Sequence, residues 1–401
     1  MTRGLRHRML RDEHRVAGID FQGLEHLQAL LDRGDGILLT PNHCGRADGL
    51  VLLNMADHLG KTFCGMAAYQ IFEGTAGVRH FLFPRLGIFP VDREGSDLSA
   101  FKTAVSVLSD ARYPLLVFPE GEVYHLGDRL TPIRDGAAAL ALAAAKRLSD
   151  HGKTVWIVPV GLKYRFPDEF DPRPAFHDRM AAVEHLLTWR PRVDQALVER
   201  IYHFAVALLS LKEFEHLGEP RQGPLTERLA GLQQVILKRI ETRRLTGRRG
   251  DPSGQSVPVR VKDLRKACLD VLADPKHAPE AAAQARRDLD DLFFVLQAFS
   301  YQGDYVRECP SLERIGETLM KLEEDLLLER GRYAAPLGPR RVDLRLGPPI
   351  NVADHLGGHA RTAVPTLTAE LESRIKSLLD AIGPGSRREV IPDSFQEPPR
   401  S

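Results

Sequence analysis

The sequence predicts an α/β fold, a largely parallel sheet flanked by helices and interrupted by a large all-helical insertion. Three observations carry this. The runs GILLT (36–40), LLVFP (115–119) and VWIVPVGLKYRF (155–166) are continuously apolar, as strands covered on both faces are. Helical periodicities separate them, the alternation a parallel sheet needs. From about 170 to 335 the strand signals disappear and only helical spacing remains.

In chain order, VAGIDF (16–21) is the first strand, followed by a helix over 22–33 that ends at Gly34. GILLT (36–40) is the second, and Thr40 and Pro41 are expected to stop it, since proline cannot donate to a ladder. From Asp48 a helix over 48–59 places Leu50, Val51, Leu53 and Met55 at apolar positions. TFCGMA (62–67) is a strand, residues to 83 are helix or loop, and GIFPVD (87–92) is a short strand. A helix over 96–111, the strand LLVFP, an alanine-rich helix over 135–150 and the strand 155–166 complete this part. Helical segments follow near 177–189, 193–216, 224–246, 258–272, 279–300 and 310–330. In the last, Ile315, Leu319, Leu322 and Leu326 share one face. RRVDLRLGPPI (340–350) returns to strand character and LTAELESRIKSLLDAI (367–382) is a final helix. The expected division is an α/β part over 1–169, the insertion over 170–335, a closing strand and helix over 336–383, and a flexible tail over 384–401.

Size and charge bound the function classes. With 401 residues the chain exceeds the usual domain of about 100–200. Apolar residues make up 43% and charged residues 27%, the balance of a soluble globular protein. A formal net charge of +1 gives no case for a nucleic-acid partner. Basic residues nevertheless cluster. Arg3, Arg6, Arg8, Arg11 and Arg15 face only Asp12 and Glu13, and Lys238, Arg239, Arg243, Arg244, Arg248 and Arg249 face only Glu241. Such patches are solvated helix faces or contacts to anionic lipid head groups. The longest apolar run, GAAALALAAA (136–145), is short of the roughly 18–20 residues that span a bilayer. No apolar core follows the basic start, so no signal peptide is expected. Cys44, Cys64, Cys268 and Cys309 show no CxxC spacing, which suggests neither zinc nor a disulfide framework.

The chemistry concentrates at LLTPNHCGRADGL (38–50). His43 falls on a strand-to-helix connection, where α/β proteins place working residues. Residues five apart on a helix point about 140° apart. His43 and Asp48 therefore meet only if the loop turns the imidazole back over the helix's first turn. There Asp48 would take the proton of one ring nitrogen and leave the other free as a base.

Four blocks stand at or just past the carboxyl end of a predicted strand, the edge where open α/β sheets bind ligands. They are NHCGRAD (42–48), GIFPVDRE (87–94), FPEGE (118–122) and IVPVGLK (157–163). In this order they resemble the motifs of the phospholipid/glycerol acyltransferase family. Asn42, His43 and Asp48 match NH-x4-D; Gly87, Phe89 and Arg93 match G-x-F-x-x-x-R. Phe118, Pro119, Glu120 and Gly121 match FPEG, and Val158, Pro159 and Val160 match the apolar fourth motif. The resemblance covers about 1–166 and 341–382 and implies an acyltransferase-type mixed or largely parallel sheet.

The resemblance also implies an activity. A fatty acyl group would move from acyl-CoA or acyl carrier protein to the hydroxyl of a glycerolipid acceptor in phospholipid biosynthesis, with 1-acylglycerol-3-phosphate the first choice. It implies no permanently bound cofactor and no metal. It also implies a cytoplasmic protein held peripherally at the inner face of the membrane. His43 would be the general base and Asp48 its orienter. N–H groups at the start of the 48–59 helix would hold the oxyanion, with Gly45 allowing close approach. Arg93 would bind the acceptor phosphate, Glu120 would hold that arginine or a glycerol hydroxyl, and Asn42, Gly87, Phe89, Gly121 and Pro159 would complete the substrate site.

Two features depart from the family pattern. Glu122 stands where Thr or Ser usually follows FPEG, which is unfavourable beside a phosphate unless it points away or pairs with Arg129 or Arg134. The helical insertion lies outside the family's minimal domain. Glycerol 3-phosphate and a phosphate-free lipid are the alternative acceptors, and a non-catalytic lipid-binding scaffold is the alternative of another class. Cys44, beside His43, raises a thiol nucleophile as a rival mechanism. No G-x-S-x-G elbow supports a serine hydrolase.

Overall fold

The computed structural model describes residues 3–69, 72, 83–92, 97–245, 254–274, 277–328, 333–357 and 360–383. They divide into two units, one of Met1–Ala175, Ser311–Met320 and Ala334–Glu389, the other chiefly of Phe176–Pro310 and Lys321–Tyr333.

The first unit is built on one sheet of β1 (Val16–Gln22), β2 (Gly36–Pro41), β3 (Cys64–Ala68), β4 (Ile88–Val91), β5 (Leu115–Leu116), β6 (Val155–Arg165), β7 (Arg340–Leu346) and β8 (Ile350–Asn351). Their spatial order is β1-β7-β6-β2-β5-β3-β4, with β8 also pairing β6. Strands β6, β2, β5, β3 and β4 run parallel, whereas β7 and β8 pair antiparallel to β6 and β1 pairs parallel to β7. The sheet is therefore mixed and mostly parallel.

Alternate residues of the central strands enter opposite cores. Ile37, Leu39, Val158, Val160 and Leu162 pack with Val51, Leu52 and Met55 of the helix Asp48–His58. Leu38, Val155 and Ile157 pack with helices Leu98–Asp110, Gly136–Ser149 and Ala360–Ile382 through Leu108, Ala141, Ala144 and Ile375. Helices on both faces explain why these strands read as unbroken apolar runs. Strand β2 lies between β5 and β6, so the chain builds to one side of it and then crosses to the other. That makes the carboxyl end of β2 a topological switch point.

Several strands differ from their predicted extents: 340–350 divides into β7 and β8, and β2 and β5 depart beside the site. Strand β2 continues through Pro41, and the Asn42 N–H donates to the Val160 carbonyl at 3.3 Å, so the ladder resumes past the proline. Strand β5 is two residues long rather than five. The Val117 N–H still donates to Leu39 at 3.0 Å, but Gly121, at φ +75°, then turns the chain.

The second unit contains the helices Leu197–Leu217, Leu225–Arg244, Val257–Ala273 and Pro279–Phe299 around Leu232, Ile236, Ile240, Leu264, Leu292 and Val295. No strand occurs among its described residues. The helix Leu312–Leu328 is divided, since residues 311–320 count with the first unit although helical spacing grouped 310–330 with the insertion. Side-chain bonds supply the reason. Glu313 accepts from the Phe166 N–H at 3.2 Å, Glu317 from the Gly127 N–H at 3.1 Å, and Arg314 pairs with Asp128 at 2.7 Å.

Candidate active site

The loop after β2 does turn His43 back over the helix. His43 Nδ1 lies 2.8 Å from Asp48 Oδ2, which also accepts the Gly45 N–H at 2.9 Å. Asp48 Oδ1 accepts from the Tyr164 hydroxyl at 2.7 Å. Asp48 has no exposed surface. Three donors and the helix N-terminus replace the water it has lost. An ionised carboxylate only accepts, so His43 carries its proton on Nδ1. Nε2 makes no hydrogen bond among the described residues, and the side chain is 19% exposed. The ring stacks on Phe118 at 3.9 Å, which fixes its plane.

Glu120 fixes the same loop from β5. Its carboxylate accepts the His43 backbone N–H at 2.6 Å and, on the other oxygen, the Thr131 N–H at 3.0 Å and the Thr131 hydroxyl. Burial raises its pKa to about 7, although the Thr131 and His43 hydrogen bonds pull the other way. Both oxygens therefore face protein donors. Asn42 ties the loop to β6, donating to the Leu162 carbonyl at 3.0 Å and accepting its N–H at 2.7 Å. Cys44 is buried with its thiol on the same carbonyl at 3.4 Å. Burial, and then the charges of Asp48, Glu317 and Glu120, push that thiol's pKa well up, so it stays a neutral, weak nucleophile.

The predicted site residues do not all reach the carboxyl edge. Gly87 immediately precedes β4 and so lies at its amino end, where its carbonyl accepts the Gly65 N–H at 2.9 Å. Phe89 packs within β4 against the core opposite the helix Asp48–His58, and Pro159 lies inside β6 opposite Thr40. A motif block extends over several residues of strand, so only its end reaches the edge. Gly121 sits over Arg134, whose Nε would stand 2.7 Å from an added Cβ. Arg93 lies outside the described residues.

The N–H groups proposed for an oxyanion are partly committed, since Gly45 N–H serves Asp48 and Asp48 N–H donates to the Gly45 carbonyl at 3.2 Å. Those of Gly49 and Leu50 make no hydrogen bond among the described residues. Tyr164 and Thr131 were not singled out in the sequence. Tyr164 carried one signal, lying on the alternation Val158, Val160, Leu162 that faces the Asp48 helix.

The fold thus sets a buried-carboxylate–imidazole pair at the switch point of an open α/β sheet. Residues 18–163 match the family model described as Acyltransferase. That match lies wholly within the first unit and supports a transferase domain there. No curated protein matches the chain.

Proposed function

We propose that the protein is an O-acyltransferase that moves a fatty acyl group from acyl-CoA or acyl carrier protein to the free hydroxyl of 1-acylglycerol-3-phosphate or a related glycerolipid. The observation that carries this reading is His43, held through Nδ1 by Asp48 with Nε2 unbonded. An alcohol is a weak nucleophile at neutral pH, and base assistance is typically worth 10²–10⁴-fold. His43 Nε2 takes the hydroxyl proton as the oxygen attacks the thioester carbonyl. The carbonyl electrons move to the oxyanion, for which the Gly49 and Leu50 N–H groups are the candidate donors. As that intermediate collapses the C–S bond breaks, and the imidazolium returns its proton to the leaving thiolate. Asp48 stabilises the imidazolium in between without itself taking the proton.

Arg93 is the proposed partner of the acceptor's phosphate. No described helix is long and apolar enough to cross a membrane, so a lipid acceptor would be reached from the membrane surface. Mass spectrometry of products tests the reading. Purified protein is offered acyl-CoA or acyl carrier protein with a panel of lyso-acceptors, glycerol 3-phosphate and phosphate-free lipids, with His43→Ala as control. Acylated 1-acylglycerol-3-phosphate supports it. Preference for a phosphate-free acceptor, toward which Glu122 points, overturns the acceptor assignment. No product from any pair overturns the activity.

A further inference from the structure

We propose that Tyr164 is a positioning residue for the His43–Asp48 pair, and that Arg340, from beyond the helical insertion, sets the strength of its hydrogen bond. The inference rests on the general-base reading above.

Asp48 Oδ2 is engaged by His43 and Gly45, and the Tyr164 hydroxyl is the donor to Oδ1 among the described residues. In a carboxylate with no exposed surface, an oxygen without a donor is strongly unfavourable, so losing Tyr164 would push the charge toward His43 or let the carboxylate rotate. The β-strand period delivers this residue. Val158, Val160, Leu162 and Tyr164 point alternately to the face of β6 that carries the helix Asp48–His58. Gly45 leaves room for the ring, since a Cβ there would stand 3.0 Å from Tyr164 Cε2.

Arg340 from β7 lies over the ring, its guanidinium carbon 4.5 Å from the ring centroid. One terminal nitrogen of Arg340 donates to the His14 carbonyl at 3.1 Å, whereas Nε is buried without an acceptor, and the side chain makes no ion pair among the described residues. A cation on the face of a phenol draws electron density from it and makes its O–H the stronger donor. Burial, followed by the charge of Asp48, keeps the phenol protonated by raising its pKa well above the usual range. Neither residue belongs to the matched stretch 18–163.

Tyr164→Phe separates positioning from packing, because the ring stays and only the hydroxyl is lost. The test is an NMR titration of the His43 imidazole in histidine-labelled full chain, read beside the pH profile of kcat/KM. In Tyr164→Phe the less-stabilised Asp48 carboxylate holds the imidazolium more strongly. The His43 titration and the acid limb of the profile should both move to higher pH. The kcat should fall about tenfold with KM little changed, the worth of one hydrogen bond to a charged group. Arg340→Gln should move the titration the same way by less. A folded Tyr164→Phe with the wild-type His43 titration and pH profile overturns the proposal. The titration needs no turnover, so a shift in a protein that transfers no acyl group removes the proposed activity and leaves this inference standing.

Discussion

Asp48 and Glu120 are both buried carboxyl groups, yet their surroundings divide their roles. Asp48 is bonded by an imidazole, a phenol and a backbone N–H, whereas Glu120 fixes the backbone of the loop after β2 and that of Thr131. His43→Ala should lower acyl transfer by about 10²–10⁴-fold and leave thermal unfolding near wild type, since the ring is a loop side chain in contact with Phe118. Asp48→Asn should lose much of the same factor by admitting the wrong tautomer, whereas Cys44→Ser should stay active. An inactive, folded Cys44→Ser together with a trapped acyl-thioester on the wild type would sink direct transfer. Glu120 gives a pH signature. Its carboxyl has a reference pKa of 4.5 and reaches about 7 when folded, so between these values the native protein holds a proton that the unfolded chain has released. Stability should therefore fall as pH rises through that window, by at most about 3 kcal/mol, and level off above it. Urea unfolding at several pH values should show this fall in wild type and a flatter profile in Glu120→Gln. Equal profiles would remove Glu120 as its source.

At the scale of the element, β6 carries more of the site than its Val-Pro-Val motif suggested. Its order as a buried strand was legible, because both faces are apolar. The same property hid which face looks toward His43, since alternation is invisible when both sides are buried. Hence the sequence marks Pro159 through its motif but not Tyr164. The His43–Asp48 pair is legible, because a strand end at a proline and a helix start bracket it across only six residues of loop and turn. The strand also anchors residues 311–320 through an ion network: Lys163 Nζ meets Asp128 Oδ1 at 2.8 Å and Arg314 Nε meets Oδ2 at 2.7 Å, all three largely buried. Burial would raise the Asp128 pKa, but Lys163 and Arg314 hold it lowered. Asp128→Ala leaves two buried cations without their anion and should destabilise the protein by about 3–5 kcal/mol. Thermal and urea unfolding check this, and a loss under about 1 kcal/mol would show the cations reaching water instead.

Over the whole molecule, the switch from alternating elements to helices alone was plain from spacing, but charge pairing was not. Arg239 pairs with Asp291 at 2.9 Å, and Arg243 and Arg244 both pair with the fully buried Asp288. Near the start, Arg6 pairs with Asp57, and Arg8 and Arg11 with Asp12. Arg6, Arg239, Arg243 and Arg244 thus meet carboxylates many residues away, pairs that local composition does not show, whereas Arg8 and Arg11 share Asp12 on their own helix. Arg248 and Arg249 lie outside the described residues. Arg244→Ala should therefore weaken the helical unit, with a fall in Tm, rather than reduce co-sedimentation with anionic liposomes. Unchanged Tm with reduced lipid binding would restore the membrane role of that cluster.

The pairing of β1 with β7, Val16 opposite Arg340, has a consequence for synthesis. The ribosome must make roughly 300 further residues after β1 before its partner exists, and at 5–20 residues per second that takes on the order of fifteen to sixty seconds. Throughout that interval β1 has no neighbour, and once β6 has been made the edge that β7 will occupy stands open. Translation therefore produces the helical insertion while the sheet before it is still incomplete. Nascent chains on crowded ribosomes meet one another through such open edges. The time for which the sheet stays open is thus set by where the insertion falls rather than by the stability of the finished sheet.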